Sequence, residues 1–405
     1  MNLAFRPLLA AAAAALALTA LSPAQAQAQK KYDTGATDTE IKIGNLVPYS
    51  GPASAYGTVG RSAGAYFDKI NAEGGINGRK IKFISLDDAY SPPRAVEQTR
   101  KLVEQEEVLL MFAPLGTASN LATQKYLNAK KVPQLFVSSG AHRWGDHKNF
   151  PWTMGWNVSY HAEGTIYAQH ILANRPQAKI AILYQNDEFG KDMLRGFLEG
   201  MGDKAKSMVV TQVSYELSDP TVDSQMVTLK SSGADTFINL STPKFAALAI
   251  RKAAEIGWKP TQYLANVSNQ VTAVLKPAGL ENATGIISAA YIRDPAEARW
   301  QNAKEFKDFA DFMKKYYPEG DPTNSLNVIG YSMAQTLEQV LRQAGNDLTR
   351  ANIMKQAASL DMSLPMLYPG VNVKTGPADF YPIEKMQMIR FNGTGYDNLG
   401  NVLGM

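Results

Sequence analysis

The chain has 405 residues, of which 45% are apolar and 19% are charged, a composition typical of folded proteins and not of disordered or collagen-like chains. With 41 basic and 37 acidic residues the formal charge is only +4, and no basic run of five residues occurs, so we expect no nucleic-acid partner. There is no cysteine, which excludes disulfides, iron–sulfur clusters, thiolate zinc sites and cysteine nucleophiles.

The first 28 residues have the features of a secretory signal peptide. Arg6 supplies a positive charge, and residues 8–21 are almost entirely alanine and leucine. Small residues then offer a cleavage pattern at positions 24–26 and again at 26–28. The apolar run is shorter than the roughly 20 residues that a membrane-spanning helix needs. We therefore expect cleavage, not anchoring, and a mature protein located in the periplasm.

Strand and helix patterns alternate along the mature chain. Buried strands are indicated by continuous apolar runs, and helices by apolar residues at three- and four-residue steps, as from Val59 to Ile70. The first predicted elements are a strand at 41–47, a helix from 59, a strand at 80–86, a helix at 92–106, a strand at 108–113, a helix at 118–129 and a strand at 134–137.

The same alternation begins again after a segment rich in Trp, Asn and Gly at residues 140–160. The second set comprises strands at 179–184, 208–213, 235–240 and 263–267, with helices at 190–201, 221–232 and 244–256. Long helices at about 295–317 and 324–344 follow, and a last strand is predicted at 385–391. The pattern predicts an α/β fold with two doubly wound parallel-sheet lobes.

In such sheets, ligands bind beyond the carboxyl ends of the strands. In the first lobe, hydroxyls and glycines follow two strands, at residues 114–120 and 138–141. These residues cap helices in many proteins, but with the free N–H groups of a helix start they also form a cradle for a carboxylate. In the second lobe, Phe189 stands at a strand-to-helix turn, where its ring either packs beneath its own helix or points into a cleft.

Signals for catalysis or metal binding are weak. The sequence has no Gly-x-Ser-x-Gly elbow, His-Glu-x-x-His, P-loop or Gly-x-Gly-x-x-Gly motif. His142, Asp146 and His147 lie close in sequence, but in such a loop we expect solvated or capping side chains. We therefore predict no enzyme activity, no cofactor and no metal.

Five segments, in their order and spacing, resemble a known family: residues 51–57, residues 70–78, Asp87-Asp88, Tyr184 with residues 187–190, and Gly330-Tyr331. From about residue 40 onward, the chain resembles the type I periplasmic solute-binding proteins, and among them the leucine/isoleucine/valine-binding family that feeds ABC importers. The resemblance implies two lobes joined by a three-segment hinge. Lobe 1 would comprise residues 40–156 and 289–382, and lobe 2 residues 157–288 and 383–405.

The resemblance also implies the residues of a ligand site between the lobes. Aromatic rings would cover the ligand, and hydroxyls and N–H groups of the first lobe would hold its carboxylate. The implied ligand-binding residues are Tyr56, Gly116, Thr117, Ser119, Ser138, Ser139, Gly140, Asn157, Tyr160, Phe189, Thr242 and Asn266.

Two departures from the family pattern concern the ligand. Amino-acid binders carry acids at the positions that align with Asn157 and Val267, and these acids hold the ligand's ammonium group. Burying an ammonium without an anionic partner is costly. An aromatic or aryl-alkyl carboxylate, or a related apolar organic acid, is therefore favoured, with aliphatic branched-chain keto acids and fatty acids as alternatives. A shift of the alignment by one or two residues would make Asn266 the cleft-facing residue.

We thus expect a periplasmic substrate-binding protein, a monomer, that delivers a small carboxylate to an ABC permease in the inner membrane. The alternatives are an amino-acid binder that uses Asp187 or Glu188 for the ammonium, an exported hydrolase, and a protein that presents its ligand to a membrane receptor.

Overall fold

The computed structural model describes residues 30–404, so the predicted signal peptide lies outside the described residues. The described chain forms a mixed α/β fold on two large sheets, with two further sheets of two short strands each, and the predicted fold class is confirmed. We call the elements built on the five-stranded sheet the first lobe, and those built on the seven-stranded sheet the second lobe. Within residues 30–404, no helix combines the length and the apolarity that crossing a bilayer requires.

The sheet of the first lobe is entirely parallel. Its second strand, Glu40–Val47, is apolar and almost wholly buried, as expected for a strand covered by helices on both faces. The spatial order of its strands is Lys80–Asp87, Glu40–Val47, Leu110–Phe112, Gln134–Val137 and Thr153–Gly155. The helices that connect them are Gly57–Ala72, Pro92–Arg100 and Thr117–Ala129.

The sheet of the second lobe has a parallel core and an antiparallel edge. Its strands are, in spatial order, Tyr396–Gly404, Lys385–Phe391, Ile287–Ala290, Thr261–Leu264, Thr236–Leu240, Ile180–Gln185 and Val209–Tyr215. The longer helices of this lobe are Tyr160–Asn174, Glu188–Met201, Asp223–Ser231 and Pro243–Glu255.

The chain returns from the second sheet to the first lobe through its C-terminal helices, Lys304–Tyr316, Ser325–Ala344 and Arg350–Ala357. Helix Ser325–Ala344 packs closely on helix Gly57–Ala72, because a β-carbon on Gly330 would lie 2.2 Å from the Val59 carbonyl oxygen. The Ser62 hydroxyl also donates to the Asn327 carbonyl at 2.7 Å. With the return to Lys385–Phe391, the chain passes between the lobes three times.

Two predicted helices differ from those observed. The helix predicted at 92–106 is α-helical only over Pro92–Arg100 and continues as a π-helical turn, Lys101–Gln105. The helix predicted at 295–317 begins only at Lys304. The Asp294 carboxylate accepts from the Ala296 N–H at 2.9 Å and so forms a side-chain turn where the pattern predicts helix.

Candidate functional site

A cavity lies between the two lobes, beyond the carboxyl ends of their parallel strands. It has about 60 Å³ of free volume, room for about five water molecules at roughly 10–15 Å³ each. Residues of both lobes line this cavity, which has room for one small molecule. Eight of the twelve predicted site residues line this cavity: Tyr56, Gly116, Ser138, Asn157, Tyr160, Phe189, Thr242 and Asn266.

Aromatic rings form much of the wall. Tyr160 and Phe189 meet edge to face, with ring centroids 5.0 Å apart and planes inclined by 72°. Tyr56 reaches across the cleft, and its hydroxyl donates to the Val267 carbonyl at 3.3 Å. This hydrogen bond joins the helix start of the first lobe to a loop of the second. Phe189 points into the cavity, which decides between the two roles that its sequence position left open.

The other four predicted residues lie behind this wall. Thr117 and Ser139 share a hydrogen bond between their hydroxyls at 2.8 Å, and Ser139 Oγ also accepts from the Trp144 indole N–H at 3.0 Å. Ser119 is buried and does not line the cavity. A β-carbon on Gly140 would lie 2.2 Å from the Val158 carbonyl oxygen, so this position requires glycine for close packing.

Two cavity-lining tyrosines, Tyr90 and Tyr160, have hydroxyls next to three of these four residues, Thr117, Ser139 and Gly140. Burial raises the pKa of Tyr90 well above its ordinary value, and a hydrogen bond from the Thr117 backbone N–H partly opposes that rise. Burial likewise raises the pKa of Tyr160, opposed by hydrogen bonds from the Gly140 backbone and the Ser139 side chain. Both phenols stay protonated at neutral pH, so each has an O–H group to donate.

Sequence reasoning missed Tyr90. Tyr90 could have been identified as a site residue from its position, which is two residues beyond Asp88 at the carboxyl end of strand Lys80–Asp87. Tyr90 has a positive φ of 58°, and its ring lies so close to Gly116 that a β-carbon there would be 2.7 Å away. Gly116 itself has a φ of +98°, a backbone conformation that residues other than glycine rarely adopt.

Two carboxyl groups of the second lobe, the half-buried Asp187 and the buried Glu163, do not line the cavity themselves. Asp187 caps helix Glu188–Met201 by accepting from the N–H groups of Phe189 and Gly190, and its other oxygen accepts from the Gln185 amide at 2.6 Å. Burial raises the pKa of Asp187. The side chain is thus engaged within its own lobe.

Glu163 is fully buried, and burial raises its pKa to about 7. It accepts from the Tyr167 hydroxyl at 2.5 Å, from the Asn266 backbone N–H at 2.7 Å, and from the Asn266 side-chain amide. Both N–H-bearing groups of Asn266 therefore turn toward Glu163 and away from the cavity. Asn266 and Val267 both line the cavity.

Two more acids, Asp294 and Glu297, line the hinge end of the cavity, and sequence reasoning did not identify either. The Asp294 oxygens accept from the Val271 N–H at 3.0 Å and the Ala296 N–H at 2.9 Å. Burial raises the pKa of Asp294 to about 7. The bond to Ala296 is local, but the bond to Val271 joins segments 23 residues apart, which local sequence does not reveal.

Glu297 is similarly occupied. Its oxygens accept from the Trp300 indole N–H at 3.1 Å and the Tyr396 N–H at 2.9 Å, and one lies 2.8 Å from Nε of Arg299. Each carboxylate oxygen of the two cavity-lining acids thus already has a partner in the protein. Glu297 has a cationic partner in Arg299, whereas the partners of Asp294 are backbone N–H groups.

A family model described as periplasmic binding protein matches residues 40–396. The chain belongs to this family. Its members are substrate-binding transport proteins and not enzymes, and the predicted resemblance to the leucine/isoleucine/valine-binding group of the type I periplasmic binding proteins is confirmed.

Known relatives of this periplasmic binding protein differ in what they bind. The Leu/Ile/Val-binding protein homolog 7 of Brucella abortus (strain 2308) is 26% identical over 338 residues, covering 79% of this chain and 81% of that protein. A branched-chain amino acid ABC transporter protein from Thermus thermophilus, solved with bound valine, shares the fold with a TM-score of 0.81 at 14% identity, covering 91% of this chain and 97% of that chain. A solute-binding protein of an ABC transporter from R. palustris, in complex with benzoate, gives a TM-score of 0.76 at 20% identity, with 90% and 98% covered.

Proposed function

We propose that this protein is the periplasmic substrate-binding component of an ABC importer and captures a small aromatic or aryl-alkyl carboxylate by closure of its two lobes. The observation that carries the proposal is the inter-lobe cavity, walled by aromatic rings, in which the lining carboxylates already have hydrogen-bond partners in the protein. An ammonium group would have to compete with those partners. A planar carboxylated ring fits the wall and needs only hydrogen-bond donors for its charge.

The donors for the ligand carboxylate are the hydroxyls of Tyr90 and Tyr160. Each receives a hydrogen bond from the first lobe, from the backbone of Thr117 and of Gly140 respectively. Hydrogen bonds donated to an ionised acceptor are stronger than those between neutral groups. Thr117, Ser139 and Gly140 then act on the ligand through these tyrosines, while Ser138 and Gly116 contact it directly; Ser119 has no contact with either tyrosine hydroxyl that would give it such a role.

Transport requires that the ligand favour the closed form over the open one. Residues from both lobes line the cavity, so a bound molecule contacts both lobes only when they are closed. We propose further that the signal peptide is cleaved and that the mature protein works as a monomer in the periplasm. In this proposal it delivers its ligand unchanged to an inner-membrane permease. We also propose that the lobes follow the boundaries predicted from sequence. The benzoate-bound relative from R. palustris supports this ligand class.

An amino-acid ligand is the second candidate, and one observation favours it. Asp294 and Glu297 line the cavity, so an ammonium could approach a carboxylate at the hinge end despite its existing partners. The valine-bound relative from Thermus thermophilus shows that the fold accommodates such a ligand. The residues Asn157 and Val267, at the positions where amino-acid binders carry acids, argue against it.

A thermal-unfolding screen of mature protein, unfolded and refolded to remove any bound ligand, tests the proposal. The panel contains benzoate, phenylacetate, phenylpyruvate, benzamide, leucine, isoleucine and valine. A ligand at 100 times its Kd stabilises by about 2.7 kcal/mol. We expect aromatic acids to raise the melting temperature and benzamide, which lacks the carboxylate, to leave it unchanged. A response to the amino acids alone would replace the proposal with the second candidate.

A further inference from the structure

We propose that the cavity also recognises a neutral hydrogen-bond donor on the ligand, such as a hydroxyl group, through the side-chain oxygen of Gln270. This inference rests on the proposed function and narrows its ligand class. The expected ligand carries a carboxylate at one end and a hydroxyl on its ring or chain.

The side chain of Gln270 is placed and oriented for this role. Gln270 lines the cavity, is only 3% exposed, and has no hydrogen-bond partner for its Oε1. Its Nε2 donates to the Asn266 carbonyl at 3.5 Å, which turns the oxygen the other way. Its backbone carbonyl accepts from Val274 and Leu275 and so fixes the residue at the start of a helical turn.

A buried acceptor without a partner is rare in native proteins, because it loses its bond to water and gains nothing in return. Such an oxygen in the wall of a ligand cavity is accounted for if a ligand group donates the missing hydrogen bond to it. A second oxygen of the same kind, Oδ1 of Asn157, is also buried without a partner at the cavity wall. Gln270 and Asn157 thus present amide acceptors to the cavity, and Tyr90 and Tyr160 present hydroxyl donors.

The acceptors select a neutral donor over an ammonium group. An amide oxygen carries no net charge, and the cavity-lining carboxylate of Asp294 already accepts from the N–H of Val271, the residue that follows Gln270. A hydroxyl needs only one acceptor and loses little on burial once that bond is made. The apolar side chains of Val59, Leu326 and Ile329 also line the cavity.

Ligand pairs that differ only in a hydroxyl test the inference directly. The probes are benzoate, phenylacetate and cinnamate, each with its 3-hydroxy and 4-hydroxy forms, and a 4-fluoro form that matches the hydroxyl in size but cannot donate. Calorimetry on wild-type protein should give at least one hydroxylated acid a Kd tenfold or more below that of its parent. The 4-fluoro acid should bind like the parent, a result that needs no variant.

The variant Gln270→Met keeps the length of the side chain and removes the acceptor. We expect it to bring the hydroxylated acid and its parent within threefold of each other, with the parent bound at least as tightly as by wild type. The matched control is Gln262→Met, because Gln262 also has an unpartnered buried oxygen but lines a separate groove of the second lobe. The control should keep the hydroxyl preference.

The outcomes separate this inference from the function on which it rests. If the acids bind but no hydroxylated form is preferred, or if the preference survives Gln270→Met, the role of Gln270 is wrong and the proposed function stands. If no acid binds to wild type, both proposals are overturned.

Discussion

The single buried carboxyl group of Glu163 makes the stability of the folded protein depend on pH. No part of it reaches solvent, and its hydrogen-bond donors are the neutral groups of Tyr167 and Asn266. Burial disfavours the charged form more strongly than these donors favour it, so the pKa rises from 4.5 to about 7. The folded protein therefore holds a proton that the unfolded chain releases between these two values.

The proton held by Glu163 makes the folded protein more stable at low pH. Its contribution to the free energy of unfolding is fully present below pH 4.5 and is lost as the pH rises through 7. The total loss is up to about 3 kcal/mol, at 1.36 kcal/mol per pKa unit. We expect Glu163→Gln to remove this loss, so the wild-type free energy of unfolding should fall relative to the variant between pH 5 and pH 8. Urea denaturation at several pH values measures this difference in the free energy of unfolding. Glu319→Gln, at an exposed glutamate, is the control, and a wild-type-to-variant difference independent of pH would contradict the prediction.

At the scale of elements, two helices of the second lobe are held unusually close by glycines. Helix Tyr160–Asn174 contacts helix Glu188–Met201 where a β-carbon on Gly164 would lie 2.5 Å from the Phe197 nitrogen. A β-carbon on Gly196 would lie 2.1 Å from the His161 carbonyl oxygen. This contact sets the position of Tyr160 and Phe189, since each stands in the first turn of one of the two helices.

We expect Gly196→Ala to destabilise the protein by at least about 2 kcal/mol, because the added methyl group meets backbone atoms that cannot rotate away. Helix propensity alone predicts the opposite sign, a gain of roughly 1 kcal/mol. Chemical denaturation decides between them. Gly376→Ala is the control, since its β-carbon would be 3.7 Å from Asp379, an ordinary contact, and should change stability little. A neutral or stabilising Gly196→Ala would show that the helices separate easily.

At the scale of the whole molecule, the hydrogen bond between Tyr56 and Val267 is a direct link between the lobes. We expect Tyr56→Phe to weaken ligand binding about 2- to 10-fold, in line with roughly 0.5–1.5 kcal/mol for one hydrogen bond, mainly through faster dissociation. Stopped-flow measurement of dissociation checks this.

Tyr49→Phe provides the matched control for this experiment. The Tyr49 hydroxyl bonds Ser85 at 2.6 Å within the first lobe, so its loss should leave dissociation unchanged. Equal dissociation rates for Tyr56→Phe and wild type would mean that this link does not hold the lobes closed.

Sequence alone determined the alternation of strands and helices, because buried parallel strands are continuous apolar runs and their helices repeat at 3.6 residues. Strands Gln134–Val137 and Lys385–Phe391 have the predicted bounds. It did not reveal strand Ile287–Ala290, which has four small or branched residues, or the edge strand Tyr396–Gly404, whose polar and glycine residues have no strand pattern. These strands form because neighbouring strands supply their hydrogen bonds.

For the candidate site, too, sequence determined one part and the tertiary structure the other. Sequence spacing located the loops that meet at the cavity, since carboxyl ends of parallel strands share one edge, and eight of the twelve predicted residues line it. Only the tertiary structure decided which side chains face the ligand space. Tyr90 and Tyr160 cover Thr117, Ser139 and Gly140, and Asp294 and Gln270 reach the cavity from the hinge side. Those orientations depend on packing between segments far apart in sequence, which no local pattern encodes.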